Sequence, residues 1–133
     1  MVDARSFKSL VGGLIYLTHT RPDIAFSVGV IFKFMQQPSK VHFGVSKRVL
    51  HYIAGTMDYG IWYSQVSNFR LCGFTDSDYA GSLDAKEQII VKHCSTHKQL
   101  ADILTKSLAA DKFIYLRALL GVCNFELRGS IED

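Results

Sequence analysis

Apolar residues recur at helical spacing in three consecutive segments at the start of the chain. The segments are 6–18, 20–36 and 39–53, and each places its hydrophobic residues on one side of a helix. Ser39 can cap the third helix and Gly55 can end it, because a hydroxyl accepts a free amide and glycine tolerates the closing turn. The side chains predicted to face inward are Leu10, Val11, Leu14, Ile15, Leu17, Ile24, Val28, Ile31, Phe32, Met35, Val45, Val49, Leu50 and Ile53. The front of the chain is therefore predicted to be all-helical.

Two adjacent glycines, Gly12 and Gly13, interrupt the first of these helices. Glycine inside a helix costs about 1 kcal/mol relative to alanine. We therefore expect another backbone to pack closely against the helix at this pair.

The hydrophobic pattern changes after residue 57. Two short aromatic runs, 60–63 and 71–74, predict an antiparallel hairpin, and the β-branched run 88–93 predicts a third strand. Helical spacing returns over 98–107 and 111–120, and the residues that follow are predicted to be a loose tail. The chain is thus predicted to be α+β, with an all-helical N-terminal part, a small sheet and C-terminal helices.

Length and composition predict a globular chain with a modest excess of positive charge. The 133 residues are 48% hydrophobic and 20% charged, with a net charge of +3. Residues 1–63 carry seven Lys and Arg against three Asp and Glu, whereas residues 64–133 carry eight against nine. A basic front half fits a surface that faces phosphates, and it fits a solvated helix face equally well.

No targeting or membrane-spanning pattern is found. The chain lacks a cationic start followed by an apolar core and a cleavage site, so we predict no signal peptide. Its apolar runs are too short to cross a bilayer, and no membrane partner is expected. Three cysteines without an export signal suggest reduced thiols, which fits the cytoplasm or the nucleus.

The strongest candidate for metal chemistry is a pair of carboxylates, Asp76 and Asp78, directly after the predicted strand 71–75. Magnesium prefers hard oxygen ligands, and a strand end holds a carboxylate rigidly. Asp-Ser-Asp followed by Gly81 is also ordinary turn chemistry. Both interpretations remain open on these residues alone.

A zinc site is a weaker candidate. His93, Cys94 and His97 lie close in sequence, and Cys72 lies on a predicted strand, but the paired-cysteine spacing of structural zinc sites is absent. Buried strand cysteines and histidines at a helix start are favoured instead. No base lies near Cys123 in sequence, so a catalytic thiol is not indicated.

Three aromatic residues, Trp62, Tyr63 and Tyr79, are candidates for stacking on nucleic-acid bases. Aromatic side chains on short strands more often fill the core of a sheet. The second interpretation is favoured.

Several longer segments are more specific, and they resemble the Pol polyprotein of copia-type LTR retrotransposons. In the front half they are Phe-Lys-Ser-Leu-Val-Gly-Gly-Leu-Ile-Tyr-Leu-Thr at 7–18, Thr-Arg-Pro-Asp-Ile-Ala-Phe at 20–26, Tyr-Ile-Ala-Gly-Thr at 52–56 and Gly-Ile-Trp-Tyr at 60–63. In the rear half, 73–81 is similar to the first strand of the family's ribonuclease H, 99–106 to its last helix and 112–123 to its tail.

The resemblance implies a division of the chain. Residues 1–57 would be the helical region that follows the reverse transcriptase palm, and 58–122 a truncated ribonuclease H-like domain with an incomplete sheet. Its middle would be deleted, with a junction near 84–89, and 123–133 would be a tail. A core that has lost strands and a neighbouring palm is expected to be loosely packed and prone to aggregate.

The resemblance also implies which catalytic residues remain. The family's ribonuclease H holds two magnesium ions with four carboxylates, of which the first maps onto Asp76 and the last onto Asp102. The other two carboxylates have no counterpart here, and the polymerase motif Tyr-x-Asp-Asp is absent. Because each ion of a two-metal site needs its own ligands, we expect no catalysis, no required cofactor, and at most weak Mg²⁺ binding at Asp76 and Asp102.

The chain is therefore interpreted as a remnant of a Pol polyprotein with weak nucleic-acid binding. Arg21, Lys47 and Arg48 are the candidates for phosphate contact on an RNA–DNA hybrid or another nucleic acid, and no small-molecule substrate is expected. A solvated helix face is the alternative interpretation of the same charges, and it remains open. The oligomeric state is left open.

Two rival functions are retained. The first is a co-opted, non-catalytic intracellular interaction protein, because chains of this type are similar to secreted effectors of the Arg-x-Leu-Arg type. Here the nearest match, Arg48-Val49-Leu50-His51, lacks the last arginine and lies in a predicted helix. The second is an active ribonuclease H completed by dimerisation or by an unexpected ligand set.

Overall fold

The computed structural model describes residues 3–63, 65, 67–68, 70–75 and 92–126. In these residues the helices are α1 (Ala4–Leu17), α2 (Ala25–Phe32), α3 (Lys40–Ala54), α4 (Asp102–Thr105) and α5 (Ala110–Leu119). A 3₁₀ turn (Pro22–Ile24) precedes α2, and the strands are β1 (Tyr59–Ile61) and β2 (Val122–Asn124). The described fold is thus mixed helix with a two-stranded antiparallel sheet, which confirms the α+β class. The ribonuclease H-like sheet stays a prediction.

Helix α1 begins two residues earlier than predicted because Asp3 caps it. The Asp3 carboxylate accepts hydrogen bonds from the backbone N–H groups of Arg5 (3.0 Å) and Ser6 (3.3 Å), which satisfies two amides at the start of the helix. Gly12 and Gly13 are exposed, and a Cβ built on either would meet nothing within 4 Å. The expected close approach of another backbone at this pair is therefore wrong.

The second predicted helix is shorter than its hydrophobic pattern suggested. It opens as the 3₁₀ turn and α2 ends at Phe32, four residues before the predicted end. The N–H groups of Phe34 and Met35 bond to carbonyls three residues back, which tightens the last turn. The predicted inward positions Phe32 and Leu50 are exposed, so no burial of Phe32 stabilises a longer helix.

Helix α3 matches its prediction closely. The Ser39 hydroxyl accepts the N–H of His42, and the His42 ring nitrogen Nδ1 accepts the N–H of Ser39 at 3.0 Å. This reciprocal pair is a capping box, with histidine in the place usually taken by Glu or Gln. Gly55 lies at the C-cap, as predicted.

The main core lies between the three front helices. Helix α2 packs against both α1 and α3. The buried side chains of this core are Phe7, Val11, Leu14, Ile24, Val28, Ile31 and Val49. Burial of each such side chain contributes about 1.5–3 kcal/mol to the stability of the fold. Because all seven residues belong to the first three helices and the 3₁₀ turn, the front of the chain has a hydrophobic core of its own. Ile103, Leu116 and Val122 are buried in the rear part.

The predicted hairpin is wrong. Strand β1 pairs with β2 in the register Tyr59–Asn124, Gly60–Cys123 and Ile61–Val122, while residues 71–75 lie in neither helix nor strand. Gly121 has φ = +83°, a conformation that favours glycine, and it turns the chain from α5 into β2. This pairing buries Val122, which the prediction of a loose tail had left exposed.

The remaining rear elements are shorter than predicted or lie outside the described residues. The helix predicted over 98–107 is reduced to the four residues of α4, whereas α5 agrees with its prediction to within one residue. The predicted strand 88–93 falls mostly outside the described residues, and Lys92 and His93 belong to no strand. Helix α4 lies against α2 and the 3₁₀ turn. None of the described helices has the length and apolarity needed to cross a bilayer.

Candidate functional site

Asp102, the described member of the predicted metal pair, lies at the start of α4 with only 1% of its surface exposed. Its Oδ1 accepts a hydrogen bond from Lys106 Nζ at 3.0 Å, and its Oδ2 accepts one from Lys112 Nζ at 2.6 Å. Lys106 is one helical turn away, and Lys112 comes from α5. The hydrogen bond from Lys112, followed by that from Lys106, holds the pKa of Asp102 below its ordinary value. Asp102 thus joins α4 to α5 as an ion triad.

These surroundings do not fit a magnesium ion. Mg²⁺ needs oxygen ligands in near-octahedral geometry, and both Asp102 oxygens bind ammonium groups that would repel a cation. In the described part of the chain, no three His, Cys, Asp or Glu residues come together to hold a metal. Asp76, the other predicted ligand, lies outside the described residues. The two mapped carboxylates are therefore not brought together by any described geometry.

The cysteine and histidine residues considered for zinc are also not brought together among the described residues. The ring of His97 stacks on Tyr115, with centroids 4.8 Å apart. Cys72 is exposed and Cys94 half-buried, so the expectation that both are buried strand residues is wrong. The exposure of Cys72 follows from the absence of the predicted strand at 71–74.

Arg21, predicted to contact phosphate, lies inside the molecule with 3% of its surface exposed. Its Nε and Nη2 donate to the two carboxylate oxygens of Asp23 at 3.0 and 2.9 Å, a two-pronged ion pair. Its Nη1 donates to the carbonyl of Thr56 at 2.8 Å. Burial alone would lower the pKa of Arg21, but the hydrogen bond and charge of Asp23 raise it above its ordinary value. The guanidinium is thus engaged by Asp23 and Thr56 inside the protein, where it stabilises the fold.

The Arg21–Asp23 pair is part of a hydrogen-bond network that also includes Tyr52 and Arg117. The Tyr52 hydroxyl donates to Asp23 Oδ2 at 2.7 Å and accepts from Arg117 Nη1 at 2.8 Å. The Arg117 guanidinium also lies over the ring of Tyr59, 4.5 Å from its centroid. Burial, with the hydrogen bond to Asp23, raises the pKa of Tyr52. Sequence reasoning missed Tyr52 and Arg117, because no local signal links two residues so far apart.

Lys47 and Arg48, the other predicted phosphate contacts, are exposed on α3. Lys40 lies two turns before Lys47 on the same side of the helix, and all fifteen residues of α3 lack a carboxylate. None of the ion pairs among the described residues involves these three cations. We call Lys40, Lys47 and Arg48 the basic face of α3.

The aromatic residues after β1 are not core residues. Trp62 is 49% exposed and Tyr63 is 77% exposed, so the preference for a sheet-core role at these two positions is wrong. The two-stranded sheet has no third strand among the described residues to cover them. Tyr79 lies outside the described residues.

Comparison with known proteins identifies several similar sequences. The chain is 42% identical over 79 residues to an uncharacterised mitochondrial protein of Arabidopsis thaliana, a match that covers 59% of this chain and 33% of that protein. It is 38% identical over 82 residues to the retrovirus-related Pol polyprotein of Arabidopsis transposon RE2, covering 62% of this chain and 6% of the polyprotein. A secreted RxLR effector protein of Plasmopara viticola is 37% identical over 81 residues, covering 60% of this chain and 57% of the effector.

The matched region is thus only a part of these relatives, about a third of the mitochondrial protein and a small fraction of the polyprotein. No family model and no solved structure matches the chain. The transposon Pol polyproteins that it matches, from RE1, RE2 and TNT 1-94, are 37%, 38% and 39% identical to it over the aligned residues. The chain is therefore homologous to a short segment of the Pol polyproteins of copia-type retrotransposons.

Proposed function

We propose that this retrotransposon-derived chain is a catalytically inactive remnant of a Pol polyprotein that binds nucleic acid electrostatically through the basic face of α3. The observation that carries the proposal is the composition of α3, a fifteen-residue helix with exposed Lys40, Lys47 and Arg48 and no carboxylate. Cations without acidic neighbours keep their full attraction for phosphate.

The dimensions of the basic face suit a phosphate backbone. With a rise of about 1.5 Å per residue, Lys40 and Arg48 are separated by about 12 Å along the helix axis. A duplex presents one negative charge per about 1.7 Å of its axis, so a face of this length spans several phosphates. Contacts of this kind carry no base sequence information, and the proposed binding is therefore sequence-independent.

The number and surroundings of the remaining ribonuclease H carboxylates support the proposed lack of catalysis. Two of the family's four ribonuclease H carboxylates have no counterpart in the sequence, and Asp102 is held by Lys106 and Lys112. A two-metal site clamps the attacking and leaving oxygens of the substrate between ions about 3.5–4 Å apart. One carboxylate engaged by two ammonium groups does not provide such a site.

The experiment that tests the binding proposal is a salt titration. Affinity for a fluorescently labelled RNA–DNA hybrid is measured by anisotropy between 50 and 200 mM salt, roughly the range over which phosphate binders lose affinity steeply. Lys47→Ala with Arg48→Ala should weaken binding and make the slope of log K against log salt shallower by about 0.9 per lost contact. The matched control, Arg5→Ala with Lys8→Ala on α1, removes the same charge elsewhere. Equal slopes for the unmodified chain, the α3 variant and the α1 control would refute binding through the basic face of α3.

A second candidate function is a non-catalytic interaction protein, favoured by the similarity to an effector protein. An apolar partner site would bind with little dependence on salt, unlike a phosphate site. The same titration therefore separates the two candidates.

A further inference from the structure

The first turn of α3 is closed by a histidine. The backbone N–H of Ser39 donates to Nδ1 of His42 at 3.0 Å, and the Ser39 hydroxyl accepts the backbone N–H of His42 at 3.4 Å. Because the donor to Nδ1 is an amide, Nδ1 must present a lone pair, and the ring must carry its proton on Nε2. A Glu or Gln in this position would accept the same amide through an oxygen. The Ser39–His42 pair is therefore a capping box whose acceptor can bind a proton near neutral pH.

The same ring also holds the segment that precedes α3. The ring of Phe34 stacks on that of His42, with centroids 3.9 Å apart and planes 17° apart. Phe34 lies just after α2, and its N–H donates to the Ile31 carbonyl at 3.1 Å. The segment 33–39, which crosses from α2 to α3, thus contacts His42 near both of its ends, at Phe34 and at Ser39.

The charged residues next to this ring along α3 and the preceding segment are cations. Lys40 is the first residue of α3 and Lys33 follows α2, whereas the eight residues of α2 contain no titratable group. Within the part of the chain that the structure describes, no ion pair includes His42. Positive charge is unfavourable at a helix N-terminus, where the aligned peptide dipoles have their positive end. A proton on the ring would therefore add a positive charge to a helix start that already carries Lys40.

Helix α1 is the other element that reaches this turn. Phe7 on α1 lies against Phe43, the residue after the histidine, with ring centroids 5.6 Å apart. The charged residues at this end of α1 are two cations, Arg5 and Lys8, and one carboxylate, Asp3, which accepts amide N–H groups of its own helix. No carboxylate among the described residues thus pairs with the imidazole.

We propose that the Ser39–His42 capping box is a pH-sensitive latch, which fastens the segment 33–39 to α3 while the His42 ring is neutral and releases it when the ring takes up a proton from solvent. The proposal goes beyond the proposed function and does not depend on it. A proton on Nδ1 replaces the acceptor by a donor, so two N–H groups face each other and the Ser39 amide loses its partner. The hydrogen bond from the His42 amide to the Ser39 hydroxyl does not titrate, and half of the cap therefore remains.

The direction of the pH effect follows from this loss of an acceptor. The latch contributes stability only with a neutral ring, whereas a histidine of the unfolded chain accepts a proton freely. Its contribution is therefore fully present well above about pH 6.5, where an unfolded histidine titrates, and it declines as the pH falls below that value. Acid opens the link between α2 and α3 and leaves in place the front core, whose seven buried side chains are all apolar.

A variant that keeps the capping box but lacks the proton site tests the latch. In His42→Gln the side-chain oxygen accepts the Ser39 amide at any pH. Urea denaturation at about pH 7.5 and about pH 5.5 brackets the range in which histidine titrates. With this acidification, the unfolding constant of the unmodified chain should rise about 2- to 13-fold more than that of His42→Gln, the factor that one hydrogen bond is worth. Of the five histidines only His42 differs between the two proteins, so the effects of the others cancel.

The matched control is His51→Gln, which removes an exposed histidine from the last turn of the same helix. This variant keeps the capping box with its proton site, and it should keep the extra rise of the unfolding constant in acid. An equal rise in the unmodified chain and in His42→Gln would overturn the proposal.

Nuclear magnetic resonance of the unmodified chain gives a second readout that needs no variant. The ¹⁵N signals of the His42 ring should show the proton on Nε2 at about pH 7.5, and the amide signal of Ser39 should shift with the same pH midpoint as the ring. A ring that carries its proton on Nδ1 at that pH, or a Ser39 amide signal that does not follow the ring, would also overturn the proposal.

Discussion

The hydroxyl of Tyr52 and the guanidinium of Arg117, 65 residues apart in sequence, lie 2.8 Å apart and join α3 to α5. Through Tyr52 the hydrogen bonds continue to Asp23, whose carboxylate is held by Arg21. The network therefore connects the 3₁₀ turn, α3 and α5. It links the helical front of the chain to the last helix of the rear by polar groups of which Arg21 and Asp23 are buried and Tyr52 and Arg117 half-buried.

Tyr52→Phe tests this connection. The substitution keeps the ring and removes the hydroxyl, so Arg117 Nη1 loses an acceptor and Asp23 loses a donor. We expect the free energy of unfolding to fall by about 1–3 kcal/mol, the usual cost of leaving buried polar groups unsatisfied. Urea denaturation measures the change, with the exposed Tyr16 replaced by Phe as a control. Equal stability of the two variants would contradict the role given to the Tyr52 hydroxyl.

Removal of one partner of the Arg21–Asp23 pair should cost more. Arg21→Met leaves the buried Asp23 carboxylate without its main counter-charge, and we expect a loss of about 3–5 kcal/mol. Adding Asp23→Leu to the same chain removes the stranded charge and should restore part of the stability. The effect of Asp23→Leu is measured in the unmodified chain and in the Arg21→Met protein. If it lowers the free energy of unfolding by the same amount in both, the two residues are not coupled.

Asp102 should contribute stability that depends on pH. Because its pKa is lowered in the folded state, its contribution is fully present well above the ordinary pKa of 3.8. That contribution is lost as the pH falls through the lowered value. Asp102→Asn should therefore lower the melting temperature at pH 7, and its difference from the unmodified chain should shrink below about pH 4.

The matched control for this prediction is the exposed Asp58, which makes no side-chain ion pair among the described residues. Asp58→Asn should leave the melting temperature nearly unchanged over the same pH range. A deficit of the Asp102→Asn protein that does not shrink at all as the pH is lowered below 3.8 would contradict the ion triad with Lys106 and Lys112, since its charge-dependent part declines below that pH.

Two glycines should respond in opposite directions to alanine. Gly13 lies in α1 with open space around a built Cβ, so Gly13→Ala should stabilise the protein by about 0.5–1 kcal/mol. Gly121 has φ = +83°, and Gly121→Ala should destabilise by about 1–3 kcal/mol. Thermal denaturation of both variants measures the difference. Stabilisation by Gly121→Ala would contradict the left-handed backbone conformation at Gly121.

Structural features that depend on neighbouring residues, such as helix ends, could be predicted from the sequence. Contacts between distant residues, such as strand pairing, could not. Helix α3 was predicted almost to the residue because Ser39 and Gly55 lie next to it. The pairing of β1 with β2 was missed because about 60 residues separate the strands and the aromatic run at 71–74 looked like a better partner. Pairing of this range depends on long loop closure and burial, which a local pattern does not encode.

The residues of the candidate site also differ in how well the sequence predicted them. Lys47 and Arg48 were predicted from charge on a helix, and the structure leaves both exposed. Arg21 was grouped with them, yet it is buried, because a carboxylate two residues away and the Thr56 carbonyl both accept its N–H groups. An Arg-Pro-Asp sequence at a helix start allows that pairing, although charge counting alone does not reveal it.

The central proposal, that this chain is a catalytically inactive Pol remnant, is tested most directly by cleavage of a labelled RNA–DNA hybrid. The purified, folded chain is compared with its Asp76→Asn and Asp102→Asn variants in Mg²⁺ and in Mn²⁺. We predict no cleavage by any of the three proteins above a protein-free control. Metal-dependent cleavage that disappears in either variant would contradict the claim and would mean that other groups have replaced the missing carboxylates.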